Sequence, residues 1–422
     1  RVLFASLIGT TIEYFDFYIY GTAAVLVFPA LFFPSGSAAT ATLQSLATFA
    51  LAFFARPIGS ALFGHFGDRI GRKATLVAAL LTMGLSTVAI GLLPTYATLG
   101  VAAPALLALC RVGQGIGLGG EWGGAVLLAT ENAPPEKRAW YGMFPQLGAP
   151  IGFVLSTGGF VLLTAYTSEA DFASWGWRIP FLASATLVLV GLYVRLKLTE
   201  TPEFRRAVAN DERVRVPMLT VLRAHPRMLV LATAATITTF LIFYLMTVFT
   251  LSWATTRLGF AREEFLLLQL VGVAFFAIGI PISAAAADRI GRWPVLIGAT
   301  LAIGAFGLAF QPLFGTGGAL RAASFLSLGL GLMGLTYGPL GAALAELFPT
   351  AVRYTGASVA FNLAGILGGS LAPYIATALG TRWGIGAVGY YLAGASLVTL
   401  AGLLGIRGSR VPLVAPKAEP AA

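Results

Sequence analysis

Residues 64–73 read GHFGDRIGRK, and residues 284–293 read AAAADRIGRW. The shared core is Asp68-Arg69-Ile70-Gly71-Arg72 in the first and Asp288-Arg289-Ile290-Gly291-Arg292 in the second, 220 positions apart. Each lies between two long apolar runs, so each reads as a charged turn between hydrophobic segments. A second match follows at an offset of 215, where Glu131, Pro134 and Arg138 correspond to Glu346, Pro349 and Arg353. Two independent matches at nearly one offset indicate a duplicated chain.

Around these loops the chain is apolar. Of its 422 residues 57% are hydrophobic and 10% charged, and the mean hydropathy is +0.84. A soluble domain carries about a quarter charged residues, so most of this surface faces something other than water. A spanning helix needs roughly 20 apolar residues. Apolar runs cut by Pro, Gly or charge give twelve candidate spans: 2–33, 41–66, 74–93, 102–130, 140–165, 178–197, 227–256, 264–287, 294–314, 320–346, 354–379 and 384–406. The sequence thus specifies an all-α polytopic membrane protein of two six-helix halves, 1–197 and 227–410. An Arg- and Glu-rich linker, 198–226, joins them, and a tail follows at 411–422. Parallel halves of this kind are one architecture of membrane transporters. The single cysteine, Cys110, allows no internal disulfide framework. No signal-peptide pattern opens the chain, and Arg1 in place of Met leads us to expect a trimmed N-terminus.

The net charge of +10 is placed, not spread. If both termini lie in the cytoplasm, twenty of the 27 Lys and Arg fall in cytoplasmic segments, five fall in outer segments, and Arg56 and Arg111 lie within spans. That bias is the positive-inside rule. It sets the expected orientation and removes nucleic acid as a partner.

Charge inside a bilayer costs several kcal/mol and is usually functional. The first half holds five such residues: Glu13, Asp16, Arg56, Arg111 and Glu121. At about 1.5 Å per residue, Glu13, Arg56 and Glu121 lie near the midplane of a core roughly 30 Å thick. Glu13 and Asp16, three apart, share a helix face, with Tyr20 four beyond Asp16. Three carboxylates stand against two guanidiniums, so at least one acid is a candidate to load and release a proton; Glu13, Asp16 and Glu121 all qualify. The second half offers neutral polar groups instead: Tyr244, Gln269, Tyr337, Asn362 and Tyr374. In the turns, Asp68 and Asp288 end a span at the cytoplasmic face, and their Arg partners, such as Arg72 and Arg292, can pair with acids at neighbouring span ends, such as Glu131 and Glu346, so that these groups act as gate latches. Glycines crowd the fourth span, and Gly148, Pro150 and Gly152 are expected to weaken or bend the fifth.

These motifs resemble known ones. GHFGDRIGRK resembles the signature loop of the major facilitator superfamily, and Arg111-Val112-Gly113-Gln114-Gly115 its fourth-helix arginine motif. IEYFDFYIYG (12–21), GGEWGGA (119–125), QLGAPIG (146–152) and AELFPTAVRYTGAS (345–358) are similar to the metabolite:proton symporters, bacterial carriers for shikimate, 2-oxoglutarate, citrate and proline or betaine. The resemblance implies the twelve-helix major facilitator fold, in a bacterial inner membrane. It also implies alternating access driven by proton entry, with Arg111 associated with proton coupling; Gln114, Tyr20 and Asn362 are expected among the substrate contacts. Ala284 and Trp293 depart from the loop pattern. Osmosensing relatives carry a long C-terminal coiled coil, and the short Pro/Ala stretch 411–422 leads us to expect no osmosensing role. The expected function is proton-coupled uptake of a small polar metabolite, an organic acid held by Arg56 with hydrogen bonds from Tyr18, Tyr244 and Tyr337. The proton is the only coupling ion expected; no cofactor or metal is expected, and the carrier is read as a monomer. A drug exporter of the same superfamily would need an antiporter motif in span five, of which only Gly148–Gly152 is present. A sensor would need a signalling domain. An enzyme would have only His65 and His225 to work with.

Overall fold

Inside a bilayer an apolar run can satisfy its backbone by closing every N–H···O=C bond within a helix. The structure is a computed structural model. It describes residues 2–34, 37–70, 72–197, 217–315, 318–349 and 352–408, with side chains over these ranges apart from 2, 64–76, 197 and 217. The described residues are helical, without a strand. The first half consists of α1 (Val2–Leu26), α2 (Ala38–Ile70), α3 (Arg72–Leu92), α4 (Ala102–Glu131), α5 (Arg138–Tyr166) and α6 (Ile179–Lys197). The second consists of α7 (Pro226–Arg257), α8 (Arg262–Ile290), α9 (Arg292–Leu308), α10 (Ala319–Glu346), α11 (Arg353–Trp383) and α12 (Ile385–Gly408). Among the described residues nine helices are long and apolar enough to cross a membrane; α3 and α9 are shorter, and α1 carries Glu13 and Asp16.

Four details differ from the sequence reading. The first span breaks at Val27 before a short helix, Phe28–Phe32, because Pro29 has no N–H to continue the ladder. The fourth breaks at Gly120 and Glu121, after two of the weakest helix formers. Part of the linker is itself helical, Pro217–Ala224; residues 198–216 and the tail lie outside the described residues. α5 runs unbroken through Pro145 and Pro150, and its glycines serve contact instead. A Cβ on Gly148 would come within 2.8 Å of the Thr11 nitrogen, and one on Gly152 within 2.8 Å of Phe15 nitrogen.

The closest approach that positions the site is between α2 and α4. The backbone of Gly119 lies against Arg56, where a Cβ would come within 2.8 Å of the Arg56 carbonyl carbon. Ser60 Oγ also donates to the Gly119 carbonyl. Gly119→Val must therefore push the two helices apart, an overpacking that costs about 1–3 kcal/mol or more. We expect the thermal midpoint in detergent to fall by several degrees. Gly158→Ala, facing nothing within 4 Å, should leave it unchanged. Equal midpoints for the two variants would contradict this packing.

Two π-helical turns interrupt the second half, Leu245–Phe249 in α7 and Ile366–Ser370 in α11. Such turns widen the helix and leave carbonyls displaced. Gln269 of α8 meets those of the first, its Nε2 donating to the carbonyls of Met246 at 3.2 Å and Thr247 at 2.6 Å. Gln269 is thus a structural amide rather than a ligand contact, and Tyr374 is exposed on the outer surface of the bundle.

Candidate functional site

Six charged side chains are buried among the described residues: Glu13, Asp16, Arg56, Arg111, Glu121 and Arg195. Arg195, at the inner end of the sixth span, is one of the twenty Lys and Arg that the sequence places on the cytoplasmic side. In the structure its side chain is buried against the neighbouring helices, leaving Arg195 7% exposed. Its Nη2 lies 3.0 Å from Glu13 Oε1, and its Nη1 bonds Glu121 Oε1. The break in α4 starts that helix again at Trp122, with Glu121 at the turn. The buried charge is therefore three acids and three guanidiniums, and the expected surplus of one acid does not hold.

Asp16 stands apart from that triad. It is 1% exposed, makes no ion pair among the described residues, and its Oδ1 has no hydrogen-bond partner. Arg111 is held by neutral groups. Its Nε donates to the Phe49 carbonyl at 3.3 Å and its Nη1 to Gln114 Oε1 at 2.9 Å. Its guanidinium lies 4.2 Å from the Phe17 ring centre and 4.1 Å from that of Tyr20. Gln114 passes the chain on, donating to Thr87 Oγ1 at 2.8 Å and to the Asp16 carbonyl at 3.4 Å. Arg56 lies over the rings of Phe17 and Phe53 at 4.5 and 4.6 Å. Such cation–π contacts hold a desolvated guanidinium at about 2 kcal/mol each while leaving its charge without an anion.

A cavity of about 30 Å³ lies between the two halves, room for about two waters. Of the expected substrate contacts it brings together Arg56, Tyr18, Tyr244, Tyr337 and Asn362, along with Glu13. Tyr20 and Gln114 do not reach it. Tyr20 sits on the Asp16 side of α1, donating to Thr48 Oγ1 at 3.0 Å, and Gln114 is consumed by Arg111. The sequence reading missed Tyr14, Trp122, Phe243 and Phe361, which also line the cavity. Tyr14 was legible as the i−4 neighbour of Tyr18, with which it stacks at 5.5 Å.

Contacts join the two halves around this cavity and at both ends of the bundle. The Tyr14 and Tyr337 hydroxyls bond each other. On the face of the charged turns, Asn362 Nδ2 donates to Ser60 Oγ at 2.8 Å and Tyr354 to the Gly120 carbonyl at 2.6 Å. Asp288 accepts from the backbone nitrogens of Ala139 at 3.0 Å and Trp140 at 2.9 Å, so a carboxylate of one half caps the α5 N-terminus of the other. Glu346 pairs with Arg292 of its own half and, across the seam, lies 3.7 Å from Arg138. The side chains of Asp68 and Arg72 lie outside the described residues, and Glu131 ends α4 at the same face. On the opposite face Arg262 pairs with Glu169 at 2.9 Å.

Known proteins agree with this architecture. The family model described as sugar (and other) transporter matches residues 2–216. The inner membrane metabolite transport protein YhjE of Escherichia coli K12 is 58% identical over 409 residues, 96% of this chain and 93% of that protein. The shikimate transporter of the same organism is 39% identical over 420 residues, 96% and 94% of the two chains. The xylose transporter XylE from E. coli, in a partially occluded inward-open conformation, has the same fold, with a TM-score of 0.75 at 17% identity over 100% of this chain and 99% of that one. The chain is therefore a multi-pass membrane transporter with the major facilitator fold, belonging to the sugar (and other) transporter family.

Proposed function

We propose that this protein is a proton-coupled symporter that imports a small organic anion into the bacterial cytoplasm. The observation that carries the reading is the charge balance of the buried set. Glu13, Glu121 and Arg195 form a paired group of net charge −1, Arg56 and Arg111 hold two positive charges without an acid partner, and Asp16 stands alone. With every group ionised the sum is zero. A proton on Asp16 makes it +1, and a monoanion at Arg56 returns it to zero. Either passenger alone leaves net charge in a poorly solvated interior, at a cost of several kcal/mol. Proton and anion therefore cross together or not at all. Asp16 is the acid whose proton exchange breaks no ion pair; Glu13 and Glu121 would first have to release Arg195.

Alternating access follows from the contacts between the halves. The bodies that rock are 1–197 and 227–410, with 198–226 as the link. The Lys and Arg bias puts the face with the charged turns in the cytoplasm. Asp288, Arg292 and Glu346 there form the latch that closes the inner side, with Asp68, Arg72 and Glu131 as its counterpart. The Arg262–Glu169 pair closes the outer side. The carrier works as a monomer, with the proton as its coupling ion.

Arg56 anchors the substrate carboxylate by a charge-assisted bond, worth about 1.5–3 kcal/mol. Arg56→Gln should raise the KM for an anionic substrate by about tenfold to a hundredfold, measured by uptake of a radiolabelled acid panel into proteoliposomes. Unchanged affinity would remove Arg56 from the site.

A further inference from the structure

The central cavity has more aromatic lining than the capture of a carboxylate requires. Trp122 of α4 and Phe361 of α11 meet face to face across the seam between the halves, 3.7 Å apart at their ring centres and 4° between planes. This is the closest and flattest ring pair among the described residues. Ring faces carry like quadrupoles, so aromatic pairs prefer offset or edge-on packing to a direct sandwich. Most of the rings around this pair obey that preference; Phe361 itself meets Phe240 at 4.7 Å and 61°. The Trp122 plane is also held in place. Its Nε1 donates to Gln146 Oε1 at 3.0 Å, and Gln146 Nε2 donates to the Tyr337 carbonyl of the opposite half at 3.1 Å.

We propose that the substrate is a monocarboxylate on a flat, unsaturated ring, which Trp122 and Phe361 part to receive between their faces while Arg56 holds the carboxylate. The inference rests on the anchoring role of Arg56 given above. A ring inserted between the two side chains can take the offset stacking that aromatic pairs prefer on each side, and it replaces a stack that is itself of the less favoured geometry. The rest of the lining narrows the class. Arg56 is the one cationic residue among the residues that line the cavity, so a second or third carboxylate would have no partner and would be buried at a penalty. A polyol would meet ring faces where it needs donors and acceptors. A flexible chain would gain no stacking and would lose rotamer freedom on binding.

Isothermal titration of the purified full chain in detergent, with benzoate, cyclohexanecarboxylate, hexanoate and citrate as probes, tests this. Benzoate should bind at least tenfold more tightly than cyclohexanecarboxylate, and citrate should not bind measurably. Trp122→Phe should keep that preference, whereas Trp122→Leu and Phe361→Leu should bring the ratio towards one. Cyclohexanecarboxylate or hexanoate binding as well as benzoate would overturn the ring inference and leave the anion symporter standing. Binding of none of the four would remove the anion reading and the ring inference together.

Discussion

Asp16→Asn should abolish proton-driven accumulation while leaving exchange intact. An asparagine has the size of a protonated aspartic acid and no proton to give up, so the buried set is fixed at a net charge of +1 until an anion binds. The loaded carrier is then neutral and can reorient in both directions. Once the anion leaves, the empty carrier holds an uncompensated positive charge in a closed interior, and its return is the step that fails. Each pH unit of gradient is worth about 1.4 kcal/mol, or tenfold in concentration. The variant should therefore lose about tenfold accumulation per unit of imposed gradient, and counterflow of labelled against unlabelled substrate should continue near the wild-type rate. Undiminished accumulation by Asp16→Asn would move the coupling proton to the Glu13–Glu121 pair.

The second large effect is on stability. Arg195 is the sole cation seen to contact Glu13 and Glu121, and it joins α1, α4 and α6. Removing one member of a buried ionic group costs about 3–5 kcal/mol, because the remaining charges are left uncompensated. Arg195→Met should sharply lower the thermal midpoint and the yield of monodisperse protein. Arg195→Lys should recover part of the loss, since one ammonium replaces a fork that reaches two carboxylates. The triple variant Arg195→Met, Glu13→Gln, Glu121→Gln should recover more, because it removes the charges rather than their partner. If Arg195→Met alone matched the wild type in stability, the triad would not contribute to holding these helices.

The contrast between these two predictions marks what the sequence made legible. The repeated Asp-Arg-Ile-Gly-Arg turns and the apolar spacing were enough for twelve helices, because a bilayer leaves an apolar chain few alternatives. Charge inside a span was legible for Glu13, Asp16, Arg56, Arg111 and Glu121 for the same reason. Arg195 was not. It lies two residues from the end of α6, where a long side chain can as easily reach water as turn inward, and the choice is made by Glu13 and Glu121 on other helices. Glu13 and Asp16 share a face by spacing, yet only Glu13 lines the cavity. The face is wide enough that one edge meets the seam and the other meets the packing of its own half. Tyr20 follows Asp16 to the second edge, whereas Tyr14 and Tyr18 follow the first. The Trp122–Phe361 stack joins residues 239 positions apart on different halves, and single-sequence periodicity carries no information about such a contact.

Coupling by charge balance is tested most directly by measuring proton entry and current together. The full chain would be reconstituted into liposomes that carry a pH-sensitive dye, with the membrane potential set by potassium and valinomycin. The carboxylate that binds most tightly in titration would then be added, with protein-free liposomes as the control for passive leak. The account requires the interior to acidify in step with substrate entry, one proton per monoanion, at a rate independent of the imposed potential. Substrate entry without acidification, or entry that carries net charge, would contradict it.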